Sequence, residues 1–115
     1  MSLHKRPCAW QIQVKDWRGR VLASCKLKED RHGMSVWNMS VGEAHRRKGH
    51  ATKLINLCKR DAWRANCRLW LRVDKNNAAA IALYEKCGFT ETTDIGSKEG
   101  KVYYQLTYRQ QWKGD

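Results

Sequence analysis

The first part of the chain alternates apolar and polar residues, which is the period of a half-buried β-strand. This alternation predicts strands over Ala9–Lys15 and Val21–Lys28, and Ser35–Val41 follows as a third. Turn-forming residues separate these segments at Asp16–Gly19 and Glu29–Gly33. Because the first turn is short and ends on glycine, we expect the first two strands to pair as an antiparallel hairpin.

From Gly49 onward the period becomes that of an α-helix. Apolar residues recur at i, i+3, i+4, i+7 and i+11, so one face of this helix carries Ala51, Leu54, Ile55, Cys58 and Ala62. The other side carries the basic residues Lys53, Lys59, Arg60 and Arg64. A short apolar run, Leu69–Val73, then predicts a buried strand. A strand–helix–strand unit of this size favours a parallel strand pair with a right-handed crossover.

A second helix is predicted over the alanine-rich segment Asn76–Cys87, with Gly88 placed to end it. Two strands, Phe89–Thr93 and Lys101–Tyr108, are expected around a loop at Gly96–Gly100. The predicted element order is therefore β-β-β-α-β-α-β-β. This order indicates an α/β fold with a mixed sheet of about six strands and two main helices.

The composition agrees with a single folded domain that covers residues 1–115. Apolar residues make up 42% of the chain and charged residues 30%, with only one proline, which excludes a disordered or fibrous protein. The segment Met1–Pro7 is basic and leads into no apolar run long enough for a signal peptide or a membrane span. We therefore expect a cytoplasmic protein that does not associate with membranes.

The cysteines and histidines show neither a disulfide nor a zinc pattern. The cysteines are odd in number, lack C-x-x-C spacing and lie within apolar patterns: Cys8, Cys25, Cys58, Cys67 and Cys87. We expect reduced and mostly packed thiols. The histidines lack the paired short spacings of zinc ligands, so no metal site is predicted: His4, His32, His45 and His50.

The chain is strongly basic. Lys and Arg total 23 against 11 acidic residues, a formal net charge of +12. Such a charge attracts polyanions, so an acidic macromolecule, either tRNA or an acidic protein, is one predicted partner. Solubility alone explains the charge equally well, and both interpretations stay open at this point.

A basic loop with one glycine lies between the third strand and the first helix. It consists of Arg46, Arg47, Lys48, Gly49, His50 and Ala51. At such a junction, backbone N–H groups and the positive end of the helix dipole converge, which favours a bound anion. Small residues at Gly49 and Ala51 would let a phosphate approach the backbone. Taken alone, the run is equally compatible with a basic surface loop.

A second motif follows the strand Leu69–Val73 and favours the anion site. Together the two motifs resemble those of the GNAT superfamily of N-acetyltransferases. The family's loop pattern, Gln/Arg-x-x-Gly-x-Gly/Ala, is matched by Arg46, Gly49 and Ala51. Its helix pattern, Asn-x-x-Ala-x-x-Leu-Tyr-x-x-x-Gly-Phe, is matched by Asn77, Ala80, Leu83, Tyr84, Gly88 and Phe89. The motifs look most like those of enzymes that acetylate the N-terminal alanine of a ribosomal protein.

This resemblance implies acetyl-CoA as co-substrate and assigns residues to it. Met39, Ser40 and Val41 would offer backbone hydrogen bonds to the pantetheine arm. The segment Arg46–Ala51 would hold the pyrophosphate through main-chain N–H groups, and Asn77 would contact the cofactor. Tyr84 would stand near the thioester sulfur as general acid to the departing thiolate. Packing in the core is the ordinary role of a tyrosine on an apolar helix face, and this alternative stays open.

The chain also departs from the family pattern at its start. Family members usually begin with a strand and two helices that shape the acceptor site, whereas only a short segment precedes Ala9 here. The resemblance therefore predicts a minimal GNAT fold without that first strand and those two helices. Its acceptor groove would be open, completed by a second subunit in a homodimer, or formed by the substrate.

A second departure concerns the general base. Arg72 occupies the position where the ribosomal-protein enzymes carry a glutamate, and a guanidinium does not accept a proton at neutral pH. Other members carry the glutamate on the preceding strand, which here offers Ser35, Trp37 and Asn38. Asp74 and Glu43 could act through water. An ion pair between Asp74 and Arg72, and a solvated turn charge at Glu43, are the alternatives.

The sequence thus leaves two main classes of function, besides pure nucleic-acid binding, for which it carries no recognised helix-turn-helix, zinc or RNA-binding signature. The first is an acetyl-CoA-dependent N-acetyltransferase acting on a primary amine of a macromolecule: a protein N-terminus, a lysine or aminoacyl-tRNA. The second is a non-catalytic GNAT-fold module that binds CoA and an acidic or nucleic-acid partner.

Overall fold

A computed structural model describes residues 8–42, 49–98 and 101–108. These residues form a mixed β-sheet and two helices in the predicted order β-β-β-α-β-α-β-β, which confirms the α/β fold. The elements are β1 (Ala9–Lys15), β2 (Val21–Asp30), β3 (Gly33–Val41), α1 (His50–Arg64), β4 (Leu69–Asp74), α2 (Ala78–Lys86), β5 (Glu91–Lys98) and β6 (Lys101–Tyr108).

The predicted turn at Glu29–Gly33 is shorter than expected, since β2 runs to Asp30 and β3 begins at Gly33, and the largest difference from the predicted boundaries is in the last hairpin. Strand β5 continues to Lys98, so most of the predicted loop at Gly96–Gly100 lies within the strand. The β5–β6 register shifts between Asp94 and Ser97, and Gly96 takes a positive φ of 83° at this irregularity. Glycine adopts such a φ at little cost, so the residue that suggested a loop marks a bulge within the strand.

The strand order in the sheet is β1-β2-β3-β4-β6-β5. Strands β3 and β4 pair parallel and all the other neighbouring strands pair antiparallel. The parallel pair confirms the predicted crossover through α1, since parallel strands need a long connection.

The parallel pairing of β3 with β4 is short. It consists of Met34–Val36 opposite Leu69–Leu71. Beyond these residues β3 remains paired with β2 up to Val41, and β4 remains paired with β6 up to Asp74. Asn38 takes a positive φ of 53° where the β2–β3 register shifts. The two central strands therefore part from each other after Val36 and Leu71.

The core lies between the sheet and α1. Four of the five residues predicted for the apolar helix stripe are fully buried: Leu54, Ile55, Cys58 and Ala62. They pack against the inward residues of β2, which are Ala23, Cys25 and Leu27. The sulfur atoms of Cys25 and Cys58 lie 3.5 Å apart, and all five cysteines are free thiols. Cys25, Cys58 and Cys87 are buried, Cys67 is partly buried and Cys8 is exposed, in agreement with the expectation of mostly packed thiols.

An aromatic cluster joins α2 to the sheet. Phe89 is 0% exposed, and its ring lies 5.9 Å from that of Tyr84 and 5.8 Å from that of Tyr108. The ammonium of Lys59 in α1 donates to the carbonyl of Cys87 at 2.7 Å and lies 4.4 Å from the centre of the Tyr108 ring. Both helices are therefore fastened to the same face of the sheet around Phe89.

We predict that Phe89→Ala lowers the free energy of unfolding by about 3–5 kcal/mol, because it removes a fully buried ring and leaves a cavity. Trp63→Ala is the control, since Trp63 is 66% exposed; it should change stability by no more than about 0.5 kcal/mol. Urea unfolding followed by circular dichroism measures both. Equal effects of the two substitutions would contradict the role given to Phe89.

Candidate functional site

A cleft of about 700 Å³ opens beside the end of β3, beyond the last residue of β3 that pairs with β4. Three elements line it: the end of β3, the start of α1, and α2. The lining residues are Met39, Ser40, Val41, Gly49, His50, Ala51, Thr52, Asn77, Ala79, Ala80 and Leu83. The structure thus brings together the cofactor residues predicted on both motifs and on β3. Arg46, Arg47, Lys48 and Glu43 lie outside the described residues.

The end of β3 contributes backbone to the cleft. Ser40 and Val41 pair with β2 on one side, opposite Ser24 and Ala23. On the other side, the pairing with β4 ends at Val36. Part of the backbone at Met39–Val41 therefore faces a gap in the sheet, where an extended ligand could add hydrogen bonds as a further strand would.

The start of α1 contributes a positive electrostatic potential. Gly49 is the N-cap residue, with a φ of 79°. Because glycine has no side-chain acceptor, no side chain at this position accepts a hydrogen bond from the first turn of α1. The first turn also carries no acidic residue. An anion at this end of α1 would therefore be stabilised by the helix dipole and by first-turn N–H groups.

Asn77 lies at the start of α2 and caps it. Its side-chain oxygen accepts a hydrogen bond from the N–H of Ala80 at 3.1 Å. This cap accounts for an asparagine at that position, and the residue also lines the cleft. Contact between Asn77 and a cofactor stays a prediction.

Four lining residues were not singled out from the sequence as site residues: Thr52, Ala79, Ala80 and Leu83. The run of small side chains beginning at Ala78 was the available signal. Small residues on a helix let a ligand approach its backbone closely. In the sequence analysis, this run of alanines was interpreted only as a sign of a helix.

Tyr84 lies beside the cleft, behind Met39. Its hydroxyl donates to the Met39 sulfur, 3.4 Å away, and Met39 lines the cleft. Burial, followed by the nearby Cys25, Cys87 and Cys58, raises the pKa of Tyr84 above its ordinary value of 10.0. The phenol therefore keeps its proton throughout the neutral range. The tyrosine both packs in the core and presents a proton donor next to the cleft.

The candidates for a general base within the described residues do not form a catalytic arrangement. Arg72 is exposed and stacks on two rings, with its guanidinium 5.6 Å from the centre of Trp37 and 5.7 Å from that of Trp70. Asp74 accepts from the backbone N–H of Asn76 at 2.9 Å instead of pairing with Arg72, so the ion-pair interpretation is wrong. The Ser35 hydroxyl is occupied by the indole N–H of Trp37 at 2.6 Å.

The basic face predicted on α1 needs one correction. Lys59 is part of the packing between α1, Cys87 and Tyr108, as described above, and does not extend into solvent with the others. Lys53, Arg60 and Arg64 are exposed. No helix in the described ranges is long and apolar enough to cross a bilayer.

The fold, the cleft and the two motifs agree with the comparisons with known proteins. The profile of the "Acetyltransferase (GNAT) family" matches residues 3–89. The chain therefore belongs to the GNAT acetyltransferase family, whose members are N-acetyltransferases that use acetyl-CoA.

Curated relatives include the [ribosomal protein bS18]-alanine N-acetyltransferases of Escherichia coli K12 and Salmonella typhimurium LT2. Each is 40% identical to the chain over 60 residues, which is 51% of this chain. The match covers only 40% of the length of those relatives.

Solved structures share the fold. The ribosomal-protein-S18-alanine N-acetyltransferase of Escherichia coli superimposes with a TM-score of 0.74 at 23% identity, over 95% of this chain and 75% of that one. A Bacillus anthracis protein described as a streptothricin acetyltransferase, solved with acetyl coenzyme A, gives a TM-score of 0.77 at 22% identity, over 92% and 65% of the two chains.

The raised pKa of Tyr84 predicts two effects at alkaline pH. In spectra of ring-labelled tyrosine, the resonance that disappears in Tyr84→Phe should titrate above pH 10.0. In the unfolded chain the tyrosine phenol ionises at about pH 10. The stability that the neutral Tyr84 phenol contributes to the folded protein is therefore fully present below that pH. It is lost as the pH rises through the folded-state pKa. Titration of this resonance at or below pH 10 in folded protein would show that Tyr84 is not desolvated.

Proposed function

We propose that the protein is an acetyl-CoA-dependent N-acetyltransferase whose acceptor is the α-amine of a polypeptide. The observation that carries the proposal is the cleft, which is lined by the end of β3 and the N-terminus of α1 and lies next to a buried phenol, whose hydroxyl contacts the lining residue Met39. The similarity to enzymes named for the N-terminal alanine of a ribosomal protein supports a polypeptide acceptor.

The residues of the cleft fit acetyl-CoA. The pyrophosphate would lie at the start of α1, where Gly49 leaves open space around its α-carbon and the helix end is positive. The pantetheine arm would follow Met39–Val41, and the small side chains Ala79 and Ala80 would allow it to pass α2. Bound acetyl-CoA supplies an acetyl group activated as a thioester.

Transfer needs two proton movements. The amine nitrogen attacks the thioester carbonyl, the C–S bond breaks, and the thiolate receives a proton. We assign that proton to Tyr84, whose hydroxyl lies against Met39 at the edge of the cleft. The proton lost by the amine goes to water, because no described carboxylate is placed to accept it.

The lack of such a carboxylate selects among acceptor amines. An amine attacks only in its neutral form. At pH 7.5 about a third of an α-amine with pKa near 7.8 is neutral, against about 0.1% of a lysine with pKa near 10.4. Without a base, an α-amine therefore starts with an advantage of roughly two orders of magnitude over a lysine. The α-amine of aminoacyl-tRNA shares this advantage and is the second acceptor to test.

The non-catalytic alternative rests on the same observation, that no described carboxylate is placed to accept the proton of the amine. A module of that kind would bind CoA in the same cleft and release no thiol. Release of free CoA from acetyl-CoA in the presence of α-amine peptides, lysine peptides and aminoacyl-tRNA separates the two functions.

We predict that Gly49→Val abolishes detectable acetyl-CoA binding while the fold persists. Gly49 has a φ of 79°, which β-branched residues adopt only with strain, so valine would displace the start of α1. Gly19→Val is the matched control, because Gly19 has a φ of 82°, equally open surroundings and a place in the β1–β2 turn. Isothermal titration calorimetry should show unchanged affinity for that control. Unchanged affinity in Gly49→Val would place the site elsewhere.

We also predict that Tyr84→Phe lowers kcat at least about tenfold, since loss of a general acid costs about 10²–10⁴-fold when proton transfer limits the rate. The ring and its contact with Phe89 are kept, so stability and acetyl-CoA affinity should change little. Tyr108→Phe, which removes a hydroxyl on the other side of Phe89, should keep wild-type kcat. A wild-type kcat in Tyr84→Phe, with chemistry rate-limiting, would make Tyr84 a core residue only.

A further inference from the structure

The face of the sheet opposite α1 and α2 carries a cluster of aromatic and basic side chains. It consists of Lys28 on β2, Trp37 on β3, and Trp70 and Arg72 on β4. The strand registers place these residues on one face: Lys28 is opposite Ser35, and Ser35 is opposite Trp70. Alternation along each strand adds Trp37 and Arg72. We call these four residues the fork cluster.

The Trp37 indole is the centre of the fork cluster. The Lys28 ammonium lies 4.8 Å from the centre of the Trp37 ring, and the Arg72 guanidinium lies 5.6 Å from it. The two cations come from strands on opposite sides of β3. Trp70 packs edge-on against Trp37 with ring centres 5.9 Å apart. Cation–π contacts thus hold two positive charges in fixed positions on one surface.

Among the described residues, no acid forms an ion pair with either cation. The ion pairs among the described residues involve Arg20, Arg60 and Lys75. On the same face, Asp30 accepts from the backbone N–H of His32, Asp74 accepts from that of Asn76, and Glu91 lies on β5, two strands away from β4. The fork cluster therefore has two fixed cations without an anionic partner in the described part of the chain.

The cluster also contains a buried donor. Trp70 is only 9% exposed, and its indole N–H has no hydrogen-bond acceptor in the described ranges. Buried polar groups in proteins are nearly always satisfied. Lys28 and Arg72, by contrast, are exposed, so they are the groups of the cluster that a ligand with acceptor oxygens would reach.

The cluster lies next to the candidate active site. Trp37 and Arg72 directly follow the last parallel pair, Val36 with Leu71, where the two strands part. Met39, which contacts the Tyr84 hydroxyl, is two residues farther along β3, beyond the irregularity at Asn38, so it is at most about 7 Å away along the chain. An extended peptide covers this distance in about two to three residues.

We propose that the fork cluster binds a carboxylate of the acceptor, so that the preferred acceptor is a polypeptide with Asp or Glu at its second or third position. This rests on the proposed function and specifies its substrate. The planar guanidinium of Arg72 binds a carboxylate through two parallel hydrogen bonds, with Lys28 adding a second charge. A nucleobase fits less well, because cations from both neighbouring strands already cover the Trp37 ring.

The test uses N-terminal alanine peptides that differ only in Asp, Asn or Lys at positions two and three. Both kcat/KM for acetylation and the peptide Kd in the presence of CoA are measured for each. Wild type should prefer the Asp peptides over the Asn peptides by about tenfold, as for a charge-assisted bidentate contact. Arg72→Gln should remove most of this preference, and Arg72→Glu should shift it toward Lys peptides. Lys28→Gln should reduce it.

Arg18→Glu is the matched control, because Arg18 also stacks on a tryptophan, 4.6 Å from the Trp17 ring centre, in the β1–β2 turn. It should leave the preference intact. Equal Kd values for Asp and Asn peptides with wild type, or an unchanged preference in Arg72→Gln, would overturn the inference. So would a single-stranded RNA oligonucleotide that binds through Arg72 more tightly than the Asp peptides. Arg72-dependent binding of Asp peptides without any acetylation would support the inference and contradict the proposed function.

Discussion

The architecture of the site depends on how briefly β3 and β4 pair. Their parallel ladder holds Met34–Val36 against Leu69–Leu71, and each strand then continues with a different partner. The gap that follows exposes strand backbone, and residues of α2 line the cleft beside it. The crossover helix that any parallel pair requires brings its N-terminus to the same gap. One local break in pairing thus places an unpaired strand, a positive helix end and an open cleft together.

The aromatic cluster around Phe89 links stability to chemistry. Phe89 orients Tyr84 through an edge-on contact, and the Met39 sulfur accepts from the Tyr84 hydroxyl. The burial that raises the pKa of this phenol also keeps its proton available at neutral pH. The Tyr84 phenol therefore stays neutral without a charged partner. The described residues provide no equally well-placed acceptor, which is why the proposed function favours an amine that arrives neutral.

Local patterns predicted the fold well because most elements follow from short-range periodicity. The apolar stripe of α1 was predicted from its spacing, and Leu54, Ile55 and Cys58 are buried as expected. Gly96 misled the prediction, since a glycine that permits a positive φ fits a bulge as well as a loop. The capping role of Asn77 was readable from an asparagine directly before an alanine-rich helix.

Interactions between distant strands could not be read from the sequence in the same way. The contacts of Arg72 with Trp37 and Trp70 depend on which residues of β3 and β4 lie opposite each other. A one-residue change in register would place Arg72 on the other face of the sheet. Likewise, the hydrogen bond from the Lys59 ammonium to the carbonyl of Cys87 depends on the position at which α2 ends. For these residues, the sequence gives the identity of each side chain, but the contacts between strands and helices determine which neighbours it meets.

Amide hydrogen exchange with and without acetyl-CoA tests the central claim, that the parting of β3 and β4 forms the cofactor site. The account predicts slower exchange in two separate segments, Met39–Val41 and His50–Thr52, and unchanged exchange in the β1–β2 hairpin. Protection that spares both segments, or that is confined to the hairpin, would contradict it.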